Sequence, residues 1–358
     1  MSAYDNLTEQ HVTAVLAEYE MGAFRHCASI QRGYVNEKWL LETEKGQYLL
    51  KRRHVGLRRP ALVQAQHALV QHLRSAGFPA PSLVLTRHNS SFLLHEGEVY
   101  EVQEYVPGDL FDAAEPPYLA ASARMLGFYH NAVSGFDHQA LHRPEERYGY
   151  AALSRTVKDL LEGWRQSLVP GLKPLMRRLE EHLQDLGNRY RALSQLPELV
   201  IHGDYHGANL IFQGARVAGV VDYDLAHWCS RSVEVAEAMI AFCTDPGLGL
   251  KQIVYPGVLD LELARSFLTA YQETVPLSEA EIVALPCMIR TIWLCASLDP
   301  PLEPALSLEA APRALPEILA LADWATANES ELVRICVATR RRRREEVGMP
   351  SPRTGSLS

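Results

Sequence analysis

LVIHGDYHGANLIFQGARVAGVVDYDLA, residues 199–226, is the stretch from which the rest of the chain is read. An apolar run leads into His202-Gly203-Asp204-Tyr205-His206-Gly207-Ala208-Asn209, resumes at Leu210-Ile211-Phe212, turns at Gln213-Gly214 and rises again to Val220-Val221-Asp222-Tyr223-Asp224. Short β-rich runs split by glycine-containing turns predict strands framing a polar loop. Such a frame presents Asp204, Asn209 and Asp222 to one site from loop and strand ends.

The spacing, an Asp, an Asn five residues on and a second Asp thirteen beyond, is that of a phosphoryl-transfer site. Moving a phosphoryl group from ATP to a hydroxyl needs positioning, charge neutralisation by Mg2+ and an acceptor for the hydroxyl proton. Asp204 is the candidate catalytic base. Asn209 and Asp222 are candidate metal ligands, because hard oxygen donors suit magnesium. A rival reading is a metallohydrolase, with His202, Asp204 and His206 alternating along one strand face; it asks for further ligand clusters downstream, where only His227 stands.

His-Gly-Asp-x-x-x-x-Asn, followed by a hairpin and Val-Val-Asp-Tyr, resembles the aminoglycoside phosphotransferase and choline kinase group of small-molecule kinases. Within that group it resembles the type II homoserine kinase-like and spore-coat-kinase-like branch. Motifs carry the resemblance over residues 25–245. It implies Asp204 as catalytic base, Asn209 and Asp222 as metal ligands, and Glu234, where the family usually has Asp, as support for the catalytic loop.

With 358 residues, 47% apolar and 22% charged, the chain has the composition of a soluble globular protein large enough for two lobes. A net charge of −8 speaks against nucleic acid as the main partner and suits an amine-bearing substrate. The six cysteines form no C-x-x-C pair and read as reduced core thiols. No basic, apolar leader opens the chain and no run is read as a membrane span, so the protein is expected to be cytoplasmic.

Residues 7–20 carry helical periodicity, and strands follow from Cys27. That meander looks like the family's nucleotide-covering hairpin, with Gly33 and Asn36 where the chain bends over the phosphates. Lys51 ends the third strand, where its ammonium reaches phosphate as a point charge. Alternation puts Arg52 on the other face. On the helix over 61–75 the acid that usually pairs with this lysine falls on Gln66, whose neutral amide can hydrogen-bond Lys51 but cannot neutralise it. The strand ending Glu104-Tyr105-Val106-Pro107-Gly108 takes the family's hinge position, implying adenine contacts from the backbone at Glu104 and Val106.

Helices are predicted over 119–133, 152–168, 172–195, 231–242, 261–271, 278–298 and 308–327. His130 is read as a packed or capping histidine, with substrate contact as the alternative, and Trp293 as core. Glu234, Glu237 and Asp245 are candidates to line the acceptor pocket. Arg340 to Arg344 form a basic run on a helix terminus ahead of a Pro/Ser/Gly-rich end.

The expectation is therefore an α+β, protein-kinase-like two-lobed fold: a β-rich nucleotide-binding lobe over 1–107, a mainly helical catalytic and substrate lobe over 108–339, and a basic tail over 340–358. It would bind ATP and Mg2+ and phosphorylate a hydroxyl of a small molecule such as homoserine, as a monomer or homodimer without nucleic-acid or membrane partners. An aminoglycoside O-phosphotransferase and a non-catalytic nucleotide-binding pseudokinase, the latter suggested by Gln66, are the alternatives.

Overall fold

The computed structural model describes residues 9–30, 35–142, 148–193, 196–244, 257–299 and 305–346, with side chains described from 11 to 340. The first part is an antiparallel sheet. After helix α1 (Glu9–Leu16) come β1 (Phe24–Ile30), β2 (Glu37–Thr43) and β3 (Gly46–Arg52), then helix α2 (Pro60–Ser75), and β4 (Leu83–Val84), β5 (Leu93–His95) and β6 (Glu98–Glu104). The strand order is β1-β2-β3-β6-β4, with β5 paired to β6. Val12, Val15, Tyr19, Trp39, Leu41, Leu50 and Val102 form the core beneath it. The opening helix is shorter than its periodicity suggests. After Leu16 the chain extends so that Tyr19 bridges Thr86 and drops its ring into this core.

The chain then pairs β7 (Asp109–Leu110) with a later strand and becomes helical: α3 (Pro116–Ala132), α4 (Tyr150–Trp164) and α5 (Leu172–Ala192). Gly108 permits that pairing, since its φ is +153° and a Cβ there would come within 2.3 Å of the Phe212 carbonyl oxygen. Next come the short strands β8 (Glu198–Ile201), β9 (Leu210–Gln213), β10 (Arg216–Val220) and β11 (His227–Ser230). They form two small sheets, β10-β9-β7 and β11-β8. Helices α6 (Arg231–Cys243), α7 (Leu261–Thr274), α8 (Glu279–Leu298), α9 (Ala311–Ala327) and α10 (Glu329–Glu346) complete the chain. The basic run Arg340 to Arg344 lies in the last turns of α10, a helix terminus as the sequence suggests.

Contrary to the expectation that no run reads as a membrane span, α8 is long and apolar enough to cross a membrane, with a mean hydropathy of 1.5. Yet 94% of that stretch is buried inside the protein, which makes it the core helix on which α4, α5, α6 and α9 pack. Trp293 is part of that core at 1% exposure. The six cysteines are free thiols, five of them buried.

Helix α8 starts from a capping box in which Ser278 Oγ accepts the Glu281 N–H and Glu281 accepts the Ser278 N–H. The fully buried Glu281 carboxylate also takes a two-pronged contact from Arg231, at 2.5 and 2.8 Å. Burial pushes its pKa up, but the Arg231 hydrogen bond and charge, with Ser278, more than offset this and hold it below the usual range. Such a group stabilises above its unfolded pKa of about 4.3, and the stabilisation is lost as pH falls through the lower folded value. Glu281→Ala should therefore cost about 3–5 kcal/mol at neutral pH, because it strands a mostly buried guanidinium. In thermal melts the gap between wild type and Glu281→Gln should narrow below about pH 4; a gap independent of pH would show that the charge is not what stabilises.

Candidate active site

Strand β8 ends at Ile201 and hands the chain to His202-Gly203-Asp204. Gly203 has φ +76°, and a Cβ there would lie 2.4 Å from the Leu225 carbonyl oxygen, so the loop can pass this close to the following segment only at glycine. Its N–H donates to Glu234 Oε1 at 2.8 Å from α6. Glu234 Oε2 meets His130 Nε2 at 2.9 Å, and His130 Nδ1 meets the Tyr271 hydroxyl at 2.7 Å. This chain is fully buried, so His130 is a packing and bracing residue, and Glu234 holds the loop instead of lining an open pocket. Glu234→Ala should leave the Gly203 N–H and His130 Nε2 unpaired, costing about 2–4 kcal/mol, with a fall in turnover larger than its effect on nucleotide affinity. Unchanged melting would refute the bracing role.

The Asp204 carboxylate is 34% exposed. Asn209 Nδ2 donates to Asp204 Oδ2 and to the Asp204 carbonyl, both at 2.9 Å, and His206 Nε2 lies 3.4 Å from Oδ2. Burial and the charge of Asp222 oppose ionisation, but His206 outweighs them and the carboxyl stays below its ordinary pKa. With its amide nitrogen committed, Asn209 keeps Oδ1 without a protein donor among the described residues.

The second acid is delivered by the chain after β10. The Val221 N–H donates to the Asn209 carbonyl at 3.0 Å, and the Val221 carbonyl meets His202 Nε2 at 3.0 Å. His202 thus braces the loop from beside β8 and does not share a ligand face with Asp204 and His206. Asp222 itself sits at φ 71°, ψ 66°, a left-handed conformation that costs a non-glycine residue about 1–2 kcal/mol and is retained where surroundings over-determine it.

Those surroundings are cationic. Lys51 Nζ lies 2.6 Å from Asp224 Oδ1, 3.0 Å from Glu101 Oε1 and 3.4 Å from Asp222 Oδ1, and Lys38 Nζ lies 2.7 Å from Asp222 Oδ2. Burial would push the Asp222 carboxyl up, but Lys51 and Lys38 hold it far below the carboxylate range. The Lys51 ammonium, opposed by burial, is held charged by Asp224, Glu101 and Asp222. Arg53 binds Glu101 Oε2 at 2.7 Å and Asp224 Oδ1 at 3.1 Å.

Gln66 does not bond Lys51. Its Oε1 accepts from Arg53 at 2.5 Å and its Nε2 donates to the Asp224 carbonyl at 2.6 Å. Asn36 donates to Asp224 Oδ2 at 2.7 Å and accepts the His54 N–H at 2.9 Å. At the end of β6 the Glu104 N–H donates to the Ser82 carbonyl. The Val106 N–H makes no hydrogen bond among the described residues, and its side chain packs where Gly219 lacks a Cβ. Gly33 and Asp245 lie outside the described residues.

Lys38, Arg53, Glu101 and Asp224 are the members that sequence reading did not single out. Two of them had a signal. A hairpin turning at Lys45-Gly46 pairs Thr43 with Gly46 and therefore Lys38 with Lys51, and strand alternation puts Arg53 on the Lys51 face. Among the described residues no three His, Cys, Asp or Glu side chains gather as a metal cluster. Magnesium is commonly held by one or two protein ligands together with phosphate oxygens, and the Asn209 amide oxygen and the Asp222 carboxylate are donors of that kind.

The model of the phosphotransferase enzyme family matches residues 26–275. This chain belongs to that family. It is a kinase of the small-molecule type. A homoserine kinase of Phenylobacterium zucineum is 27% identical over 291 residues, covering 80% of this chain and 83% of the relative. Among solved structures, a microcompartment-associated aminopropanol kinase matches with a TM-score of 0.64 at 16% identity, over 90% of this chain and 98% of that one. An amicoumacin kinase, solved with AMP-PNP, Ca2+ and Ami, matches with a TM-score of 0.62 at 16% identity, over 90% and 93%. At such identity these likenesses speak for the fold alone, which is the protein-kinase-like one.

Proposed function

We propose that this chain is an ATP-dependent phosphotransferase acting on a hydroxyl of a small amino-alcohol such as homoserine or a related metabolite. The observation that carries the reading is the bonding of Asn209 to Asp204, the tie from Asn209 to Val221, and the two lysines on Asp222, which together link three oxygen-bearing side chains to a pair of ammonium groups. The substrate class is supported by the homoserine kinase and aminopropanol kinase likenesses, and ATP with a divalent cation by the neighbour solved with AMP-PNP and Ca2+.

In this reading Asp204 orients the acceptor hydroxyl and takes its proton as the oxygen bonds to the γ-phosphorus. The bond from that phosphorus to the β–γ bridging oxygen breaks, ADP leaves, and a phosphate ester remains. Lys51 and Lys38 balance charge on the phosphates, Gly33 and Asn36 contribute to binding them, and the backbone at Glu104 and Val106 meets adenine. Asn209 and Asp222 would hold Mg2+, which when bound neutralises charge on the transferring group. Residues 1–107 form the nucleotide lobe, 108–339 the catalytic lobe and 340–358 a basic tail. The protein works in the cytoplasm as a monomer or homodimer, with neither nucleic acid nor membrane as partner.

The test is a panel of homoserine, other amino-alcohols and aminoglycosides with ATP and Mg2+, read by ATP consumption and by phosphorus NMR of the product. Homoserine or a close analogue should give a phosphate monoester with ADP. Turnover confined to aminoglycosides would replace the substrate assignment, and nucleotide binding without any phosphorylated acceptor would replace the enzymatic one. The non-catalytic alternative rested on Gln66; Lys51 has carboxylate partners in Glu101 and Asp224 without it.

A further inference from the structure

We infer that Glu101, on β6, is the positioning residue that aims Lys51 at the nucleotide phosphates, an inference that rests on the kinase reading above. Lys51 and Glu101 are direct register partners across the β3–β6 ladder, their side chains are 2% and 1% exposed, and Nζ lies 3.0 Å from Oε1. Directly opposed residues of an antiparallel pair have Cβ atoms about 5 Å apart, so the sheet itself sets this separation. The carboxylate is held in turn. Oε1 also accepts from Gln103 Nε2 at 3.0 Å, while Oε2 takes Arg53 Nε at 2.7 Å and His67 Nε2 at 2.9 Å. His67 is itself tied to Ser91 at 2.7 Å. With every lone pair engaged, the acid has one rotamer to offer the ammonium.

Asp224 also touches Lys51, at 2.6 Å, but it stands on the segment that carries Asp222, whereas Glu101 shares a sheet with the lysine. Gln66 on α2 spends its amide on Arg53 and the Asp224 carbonyl. Lys51 and Glu101 themselves both stand on the sheet, and α2 reaches the pair only through His67 on Oε2 and through Gln66 on Arg53.

Full-length wild type, Glu101→Gln, Glu101→Asp and Gln66→Ala are to be titrated with ADP and with adenosine in the presence of Mg2+, with folding checked by circular dichroism. Adenosine lacks the phosphates, so the ratio of the two affinities reports the placement of Lys51 and cancels general loosening of the fold. Wild type should prefer ADP. Glu101→Gln should cut that preference about tenfold or more, the loss of one charge-assisted contact, with adenosine affinity near the wild-type value. Glu101→Asp keeps the charge on a shorter arm and should lose about threefold or more, which decides the matter if Glu101→Gln does not fold. Gln66→Ala should keep the preference. An ADP preference retained without Glu101, or lost through Gln66→Ala instead, overturns the inference and leaves the kinase reading intact. A wild type with no preference for ADP overturns both.

Discussion

Asp204→Asn is expected to lower kcat about 10²–10⁴-fold, the usual worth of a positioned general base, with ADP affinity close to wild type. The substitution keeps the size of the side chain and an oxygen for the Asn209 amide, so the 2.9 Å contact from Asn209 Nδ2 survives. It removes the proton acceptor and one negative charge. Because His206 keeps the carboxyl below its usual pKa, Asp204 is ionised throughout the neutral range, and wild-type turnover should not fall until the medium is more acidic than an ordinary aspartate requires. Steady-state kinetics with the acceptor found in the substrate panel, together with ADP titration, check both halves. A fall in kcat below about tenfold would remove Asp204 from the role of base.

Asp222→Asn is expected to damage both steps: Mg2+-dependent ADP binding should weaken about tenfold or more, and turnover should fall about 10²–10⁴-fold. Asparagine tolerates the left-handed conformation of this position, so the backbone at φ 71° is not asked to change. What changes is charge. The carboxylate faces Lys38 at 2.7 Å and Lys51 at 3.4 Å, and without it two ammonium groups lose a counter-ion and the proposed metal site loses its charged donor. Calorimetric titrations of ADP with and without Mg2+, and of adenosine, separate the effects: adenosine affinity should hold while the metal-dependent increment in ADP affinity shrinks. Equal, mild effects from Asp204→Asn and Asp222→Asn would contradict the division of labour between the two acids.

The loop from His202 to Asn209, the hairpin after it and the helices from 231 to 298 were legible because each is written in local terms. Glycine-bearing turns, period-two runs and period-3.6 stripes declare themselves within a dozen residues. The capping pair Ser278 and Glu281 marks the start of α8 in the same local way. Legibility ended where a side chain chooses between partners. Gln66 could be placed on its helix and recognised as a missing acid, but not matched to Arg53 and the Asp224 carbonyl, the latter 158 residues away. The apolar run in α8 likewise satisfies the composition of a membrane span; only the helices packed on it make it a core element.

By itself, then, the sequence determined where the polar loop and its hairpin lie, which side chains they offer, and in what order strands give way to helices. Tertiary structure alone decided that Glu101 and Asp224 share the Lys51 charge, that Lys38 faces Asp222, and that His130 and Tyr271 back the Glu234 carboxylate. The reason is physical. Periodicity and turn chemistry act between neighbours in the chain, whereas the cost of burying a charge is met by whichever counter-charge the fold brings within about 3 Å, regardless of its place in the sequence.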